Sequence, residues 1–137
     1  MSRIVGHGVF ALYDLPRNLK LVEYKGQWIS KEENGEREVL YAENKFPPVA
    51  VYDPISNKVL DANRDLLGNI LDPSENIARY FNHSKISPNC KLIAEIRNGI
   101  KKCYLQTKDE IPKGTQLLWD YNDTDPESVR SNPWLST

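Results

Sequence analysis

The apolar positions of the chain come in short runs and alternations rather than in long helical stripes. An apolar run extends from Val5 to Tyr13, and residues 20–29 alternate loosely between apolar and polar side chains. Both patterns are typical of β-strands, and the intervening Leu15-Pro16-Arg17-Asn18 is typical of a turn. We therefore predict two strands joined by a turn in the first part of the chain.

A charged segment then predicts a helix. Ser30-Lys31-Glu32-Glu33 fits the capping box, in which an N-cap serine and a glutamate three residues later satisfy free amides at the start of a helix. A short helix is predicted from Lys31 toward Glu43. We expect Gly35 to interrupt it, because glycine weakens a helix interior. The many charges are those of a solvated face.

Turn chemistry predicts two hairpins further along. The first surrounds residues 53–57 (DPISN), whose side chains favour a turn. The second surrounds Asn98-Gly99, the dipeptide most typical of a two-residue hairpin. The paired segments are 49–52 with 58–62 and 91–97 with 100–107.

A short helix is predicted between the two hairpins. Asp72-Pro73-Ser74-Glu75 supplies a cap, a proline at the first helical position and an early acid. The helix should lead to Phe81. Ile77 and Phe81, four residues apart, would form its buried side.

The last part of the chain predicts one more strand and a terminal helix. A turn at Pro112-Lys113-Gly114 precedes a strand from Leu117 to Tyr121. Asp125-Pro126-Glu127 then opens a short helix that ends near Trp134.

Many short strands with two or three small helices indicate a β-rich α+β fold. At 137 residues the chain is expected to form a single domain, because this length supports one hydrophobic core. We expect the core of the domain at about residues 4–122 and a short helical extension at about residues 123–137.

Composition narrows the function classes. Apolar residues make up 39% and charged residues 27% of the chain, which is typical of a globular protein and not of a disordered one. No apolar run approaches the roughly 18 residues of a membrane span. The net charge is −1 with interspersed signs, so the basic face of a nucleic-acid binder is not expected.

The stretch RYFNHSKISPNC, residues 79–90, concentrates the candidate chemistry. Asn82-His83-Ser84 fits the acceptor pattern for N-glycosylation, His83 with Cys90 would supply half of a metal site, and the whole stretch could be a ligand-binding loop. These three interpretations compete.

The N-terminus lacks an apolar run long enough for a secretory leader, so we expect a reducing compartment. Glycosylation at Asn82 or Asn122 and a Cys90–Cys103 disulfide are then disfavoured. Two cysteines and two histidines without a C-x-x-C pair also make a zinc site an unfavoured interpretation, so no metal is expected.

Five motifs occur in one order along nearly the whole chain. They are Gly6-His7-Gly8-Val9-Phe10-Ala11, Val22-Glu23-Tyr24-Lys25-Gly26, Leu60-Asp61-Ala62, residues 76–84 (NIARYFNHS) followed by Pro88-Asn89-Cys90, and residues 111–114 (IPKG) with Leu117-Leu118-Trp119-Asp120-Tyr121. A lone G-x-G is weak, but this ordered set is specific. The chain therefore resembles a SET domain, the fold of protein lysine methyltransferases.

Within that family the chain is most similar to the type that monomethylates the histone H4 tail on nucleosomes. The shared stretches are Val22-Glu23-Tyr24, residues 37–42 (REVLYA), Asn82-His83-Ser84-Lys85 and Pro133-Trp134-Leu135. Many SET enzymes close the site with a cysteine-rich segment, whereas this sequence ends in a short helix and Trp134. The resemblance therefore implies no metal.

The resemblance implies transfer of a methyl group from S-adenosylmethionine to a lysine ε-amine. Tyr121 would orient the amine, Tyr24 would be a second catalytic phenol, and Trp119 and Tyr24 would line the substrate channel. The implied cofactor-binding residues are Gly6, His7, Gly8, Arg79, Tyr80, Asn82, His83 and Trp134. Tyr121, His83 and Trp134 also have structural interpretations, as a half-buried strand residue, a hydrogen-bonded histidine and a core residue.

The implied partner is a lysine-containing protein, in particular a histone tail or nucleosome, and the implied location is the nucleus. Neither sequence-specific nucleic-acid binding nor a membrane is expected.

Some residues depart from the family pattern. Thr115-Gln116 stand where two acids are usual, Trp119 stands where Phe or Tyr is usual, and residues 46–49 lack a tyrosine expected near the cofactor. These departures leave open a SET-like module that binds a peptide without catalysis. A metal hydrolase built on His7, His83 and Cys90 is a third hypothesis.

Overall fold

The structure is a computed structural model that describes residues 2–5, 8–45, 49–53, 55–121, 130 and 133–137. The chain divides into two compact units, residues 1–24 with 80–137 and residues 25–79. In chain order the strands are β1 (Ser2–Val5), β2 (Gly8–Ala11), β3 (Lys20–Tyr24), β4 (Gln27–Ser30), β5 (Ala50–Asp53), β6 (Lys58–Asp61), β7 (Asn82–His83), β8 (Cys90–Arg97), β9 (Ile100–Thr107) and β10 (Leu118–Trp119).

The described residues of the first unit form two sheets. Strands β1 and β2 form an antiparallel pair, and five strands form a sheet in the order β3-β9-β8-β10-β7. Strand β10 runs parallel to both β7 and β8, while the β8–β9 pair is an antiparallel hairpin. The core of this unit contains Val9, Ala11, Leu15, Tyr24, Phe81, Cys90, Cys103, Leu105, Ile111, Leu117 and Trp119.

In the second unit an α-helix packs with a three-stranded sheet in the order β4-β6-β5. Helix α1 (Lys31–Glu43) begins as predicted, because the Ser30 side chain caps it by accepting a 3.1 Å hydrogen bond from the Glu33 amide. The expected interruption at Gly35 is wrong. One interior glycine costs only about 1 kcal/mol, and the 3.1 Å hydrogen bond from Asn34 to Glu38 bridges the same turn.

A buried carboxylate connects α1 to the sheet of this unit. Asp61 is 1% exposed and accepts hydrogen bonds from Tyr41 Oη (2.5 Å), Arg37 Nη1 (3.0 Å) and the Asn63 amide (3.0 Å). Arg64 Nε donates to Tyr41 Oη at 2.9 Å. Because the carboxylate has several donors, its desolvation is compensated.

Both predicted hairpins are confirmed. Strand β5 pairs with β6, and β8 pairs with β9. Asn98 and Gly99 have φ angles of 52° and 77°, the left-handed conformation that a tight two-residue turn requires. Gly114, in the predicted turn before the last strand, has φ of 88°.

The strand predicted over residues 20–29 is two strands, β3 and β4, interrupted at Lys25 and Gly26. A Cβ on Gly26 would lie 2.7 Å from the Asp61 carbonyl oxygen, so this position requires glycine for close backbone approach. The apolar run over residues 5–13 is likewise not one strand, since β1 ends at Val5 and β2 begins at Gly8.

The helix predicted to lead to Phe81 is two 3₁₀ helices, Pro73–Glu75 and Ile77–Tyr80. Asp72 caps the first by accepting a 2.9 Å bond from the Ser74 amide. The prediction that Ile77 is buried with Phe81 is wrong: Ile77 is 38% exposed, whereas Ala78 and Phe81 are buried. In a 3₁₀ turn residues three apart lie on one side, so Ala78 takes the place that an α-helix would give to Ile77.

The strand predicted over residues 117–121 is shorter, because β10 contains only Leu118 and Trp119. A 3₁₀ helix covers Pro133–Ser136. Most of the predicted terminal helix, from residue 125, lies outside the described residues.

Candidate functional site

Strands β7 and β10 bring two of the motifs together. They run parallel, with Leu118 opposite Asn82 and Trp119 opposite His83. The Ser84 amide continues this contact by donating a 3.0 Å bond to the Trp119 carbonyl. The Asn-His step and the Trp-Asp-Tyr step thus form one surface of the first unit.

An aromatic cluster lies at the end of these strands. The Trp119 ring centroid is 5.8 Å from that of Tyr24, edge to face, and 5.0 Å from that of Tyr121. The His83 ring is 4.9 Å from Tyr121. Trp119 and Tyr24 are buried, at 3% and 5% exposure. Tyr24, Trp119 and Tyr121, the residues predicted for the catalytic channel, therefore lie together.

Trp119, a member of this cluster, has a buried hydrogen-bond donor. Its Nε1 is inaccessible to solvent and, within the part of the chain that the structure describes, has no hydrogen-bond partner. A buried donor left unpaired costs roughly 1–3 kcal/mol, and such atoms concentrate at binding sites. The indole N–H is therefore a candidate contact for a bound group.

The Tyr121 side chain is held by the neighbouring segment. Its hydroxyl donates a 2.8 Å hydrogen bond to the Phe81 carbonyl. Burial raises the pKa of Tyr121 to about 12, so the phenol keeps its proton at neutral pH. Because its hydrogen is directed at Phe81, the oxygen can act only as an acceptor toward any further group.

The His83 side chain forms a hydrogen bond with the backbone of Tyr121. Its Nδ1 accepts a 3.0 Å hydrogen bond from the Tyr121 amide, so Nδ1 carries no proton and the neutral ring has its hydrogen on Nε2. The carboxylate of Asp120 also lies 3.9 Å from Nδ1. The amide contact is the shorter of the two and requires the Nδ1 lone pair, so it sets the tautomer.

Two amide side chains, those of Asn82 and Gln116, meet near the cluster. Asn82 Nδ2 donates a 2.7 Å hydrogen bond to Gln116 Oε1. A Cβ on Gly8 would lie 2.7 Å from that oxygen and 3.2 Å from Asn82 Nδ2. Glycine at position 8 thus leaves room for the two amide side chains. Sequence reasoning missed Gln116, although its place in a motif that usually carries acids was the available signal.

Other predicted site residues are elsewhere or undescribed. Arg79 belongs to the second unit, where its Nη1 donates to Asn63 Oδ1 at 3.0 Å. Tyr80 is the last residue of a 3₁₀ helix and belongs to the first unit. Gly6, His7 and the Trp134 side chain lie outside the described residues.

Cys90 and Cys103 are buried, and no disulfide joins them. Burial raises the pKa of Cys90 to about 12, which keeps the thiol protonated and makes it a poor metal ligand. Among the described residues no group of three His, Cys, Asp or Glu side chains is placed to hold a metal ion. No helix described in the structure is long and apolar enough to cross a membrane.

The fold and the site define a β-rich α+β domain whose candidate site lies where two short parallel strands meet. The family model of the SET domain matches residues 6–122, and the chain belongs to that family.

The sequence is similar to lysine methyltransferases. It is 32% identical over 133 residues to N-lysine methyltransferase KMT5A of Xenopus tropicalis, covering 95% of this chain and 37% of the relative. It is 29% identical to KMT5A-A of Danio rerio, over 95% of this chain and 36% of the relative. The chain thus spans little more than a third of the length of these relatives.

An insect relative and a solved structure are also similar to this chain. The chain is 31% identical to histone-lysine N-methyltransferase Set8 of Drosophila melanogaster, over 96% of this chain and 18% of that protein. The crystal structure of CpSET8 from Cryptosporidium matches with a TM-score of 0.68 and 26% identity, covering 87% of this chain and 54% of that one. The predicted SET fold and its similarity to the KMT5A/Set8 type are confirmed.

Proposed function

We propose that the chain is the catalytic domain of a protein-lysine N-methyltransferase that adds one methyl group to a lysine in a histone tail. The observation that carries the proposal is the Tyr121 hydroxyl, which donates its hydrogen to the Phe81 carbonyl, while the Tyr121 ring lies against Trp119, itself in contact with Tyr24. Relatives named as histone-lysine methyltransferases support the substrate class. A histone substrate would place the protein at chromatin in the nucleus.

The proposed chemistry begins with the protonation of the substrate. A free lysine has a pKa near 10.4, so about one amine in a few thousand is neutral at pH 7. A channel lined by buried aromatic rings disfavours the ammonium because it withholds water. Trp119 and Tyr24 provide such a lining.

Tyr121 orients the amine rather than deprotonating it. Its raised pKa makes it a neutral phenol whose hydrogen is already donated to Phe81. The oxygen can accept one N–H of the incoming amine and so direct the nitrogen lone pair away from the phenol. The acceleration of methyl transfer comes from holding the amine in line with the methyl donor. We propose that Tyr24 is the second phenol of this channel.

SET methyltransferases use S-adenosylmethionine, which supplies a methyl group activated on a sulfonium. The residues of this chain fit it: Asn82 uses its Nδ2 on Gln116, which directs its Oδ1 elsewhere as an acceptor for an ammonium group. We propose that Gly8, Asn82 and the backbone of His83 bind the cofactor without a metal. The proposal also retains Gly6, His7, Arg79, Tyr80 and Trp134 as cofactor-binding residues.

Calorimetry tests the cofactor site. S-adenosylhomocysteine should bind the protein in the presence of a chelator, and addition of Zn²⁺ should not increase its affinity. Asn82→Ala should weaken binding about tenfold, since a buried amide contact is worth roughly 1–3 kcal/mol. Full affinity in Asn82→Ala would remove this site from the proposal.

Transfer of radiolabelled methyl groups to nucleosomes and core histones tests the reaction. Incorporation into a histone lysine supports a methyltransferase. Cofactor binding without transfer to any histone would favour the binding module. Zinc-dependent hydrolysis without cofactor binding would favour the metal hydrolase.

A further inference from the structure

We infer that Gln116 is a positioning residue that fixes the amide of Asn82 for the ammonium group of the cofactor. This inference rests on the proposed function. It assigns a task to a position that departs from the family pattern, where an acid is usual. The hydrogen bond from Asn82 Nδ2 to Gln116 Oε1, at 2.7 Å, is its starting point.

The backbone around Gln116 is fixed on both sides. Gln116 forms an antiparallel bridge with Phe10, and the neighbouring Leu117 amide donates a 2.8 Å bond to the Val9 carbonyl. On the other side Asn89 Nδ2 donates a 2.9 Å bond to the Gln116 carbonyl. The side chain therefore starts from a rigid position, which a positioning residue requires.

The side chain then crosses above Gly8. Its Oε1 occupies a position only 2.7 Å from where a Cβ on Gly8 would be, and the Asn82 amide nitrogen is 3.2 Å from the same point. Any other residue at position 8 would displace one of the two amides. The absence of a side chain at Gly8 thus leaves the space that the Gln116–Asn82 contact occupies.

The direction of the hydrogen bond determines what Asn82 presents. A primary amide has a donor end and an acceptor end on opposite sides of one carbon. With Nδ2 bound to Gln116, Oδ1 must face away from it and can only accept. An acceptor suits the ammonium group of an amino-acid-like ligand. Without Gln116 the amide could rotate by half a turn and present its donor end, which repels an ammonium.

Two substitutions at Gln116 should differ in effect, because only one of them keeps a hydrogen-bond acceptor. Gln116→Glu keeps an oxygen for Asn82 Nδ2, whereas Gln116→Met keeps the length and removes the acceptor. Gln106→Met is the matched control, because it makes the same chemical change on β9, and among the described residues no hydrogen bond joins Gln106 to Asn82. Thermal denaturation of each variant separates cofactor effects from loss of folding.

The experiment measures S-adenosylhomocysteine binding by calorimetry and the steady-state kinetics of methyl transfer. Gln116→Met should raise the cofactor Kd and KM about five- to tenfold and leave kcat within about twofold, with Gln116→Glu and Gln106→Met close to wild type. In an Asn82→Ala background Gln116→Met should have no further effect on the Kd, because both changes remove one interaction.

Three results would overturn the inference. Unchanged Kd in Gln116→Met would show that Asn82 does not need this partner. Weakening by Gln116→Glu as large as that by Gln116→Met would show that Gln116 does not act as an acceptor. If folded wild-type protein bound no cofactor, the inference would fail together with the proposed function. In the first two results the wild-type protein does bind cofactor, so only the inference fails.

Discussion

The hydroxyl of Tyr121 donates a hydrogen bond to the main-chain carbonyl of Phe81, 2.8 Å away. Phe81 lies directly before β7, and Tyr121 lies two residues after Trp119, so the bond joins the ends of the two motifs that form the site. The bond engages the only proton of the phenol, which is why we propose that the phenol orients the amine.

Tyr121→Phe should preserve the fold and cofactor binding and reduce methyl transfer at least about tenfold, or roughly 1.4 kcal/mol of barrier. Only the hydroxyl is removed, and that group is proposed to hold the amine. Radiolabelled methyl transfer to core histones measures the effect. Tyr13→Phe is the control, since Tyr13 is 64% exposed and should lose no activity. A Tyr121→Phe enzyme as active as wild type would assign the orienting task to another group.

The raised pKa of Tyr121 predicts the pH dependence of transfer. Burial moves this pKa from 10.0 to about 12, so the phenol remains protonated throughout the working range. At saturating cofactor the rate should rise between about pH 7 and 9 as the substrate lysine loses its proton. The stabilisation from the buried neutral phenol is fully present below pH 10 and is lost as the pH approaches 12. A falling rate below pH 9 that Tyr121→Phe abolishes would contradict this assignment.

Trp119 predicts how many methyl groups are added. It is buried against both Tyr24 and Tyr121, and an extra methyl in such packing costs about 1–3 kcal/mol. Wild type should stop at monomethyl-lysine, and Trp119→Phe should shift products toward dimethyl-lysine, as measured by mass spectrometry of a methylated histone peptide.

Trp28→Phe, the same change on β4, should leave the product ratio unaltered. Trimethyl-lysine from the wild-type enzyme would refute the steric argument. A Trp119→Phe enzyme that is only less stable, with unchanged products, would place Trp119 outside the channel.

The buried carboxylate of the second unit predicts a difference between two tyrosines. Tyr41 and Tyr52 each donate a hydroxyl hydrogen to a side-chain oxygen, Tyr41 to buried Asp61 and Tyr52 to Asn57 at an exposed site. Burial and the bond to Asp61 raise the pKa of Tyr41. Tyr41→Phe should lower the free energy of unfolding by about 1–3 kcal/mol and Tyr52→Phe by less than about 0.5 kcal/mol. Urea denaturation measures both, and equal losses would mean that Asp61 does not depend on Tyr41.

Two glycines of the same unit predict opposite effects of adding a methyl group. Gly35 lies inside α1 with nothing within 4 Å of a new Cβ, so Gly35→Ala should raise the free energy of unfolding by about 0.5–1 kcal/mol. A Cβ on Gly26 would collide with the Asp61 carbonyl at 2.7 Å, so Gly26→Ala should destabilise. Thermal and urea unfolding decide the signs, and a stable Gly26→Ala protein would show that this backbone can move apart.

The features that the sequence predicted well are those encoded within a few residues. Ser30 and Glu33 define the start of α1 by themselves, and Asn98-Gly99 defines its hairpin, because each depends on local hydrogen bonds and backbone angles. Ordered motifs identified the family for a similar reason, since each is a contiguous string.

Contacts that depend on distant residues were not predictable in this way. The parallel pairing of Asn82 with Leu118 has no periodic signal, since two-residue strands are too short to show alternation. The placement of the Gln116 side chain over Gly8 arises only after three separate segments meet. Ile77 was misassigned because 3₁₀ and α turns differ by a fraction of a residue per turn. The single-domain organisation with a helical extension stays a prediction.

The short pairing of β7 with β10 has a consequence for how the protein acquires its site. Segments far apart along the chain must meet before Asn82, Trp119 and Tyr121 become neighbours, and closing so long a loop is entropically costly and slow. The hairpin of β8 and β9 closes over two residues and can form early. The aromatic cluster should then be among the last parts to assemble during folding, so a truncated or partly folded chain can hold most of its sheet and still lack the proposed lysine site.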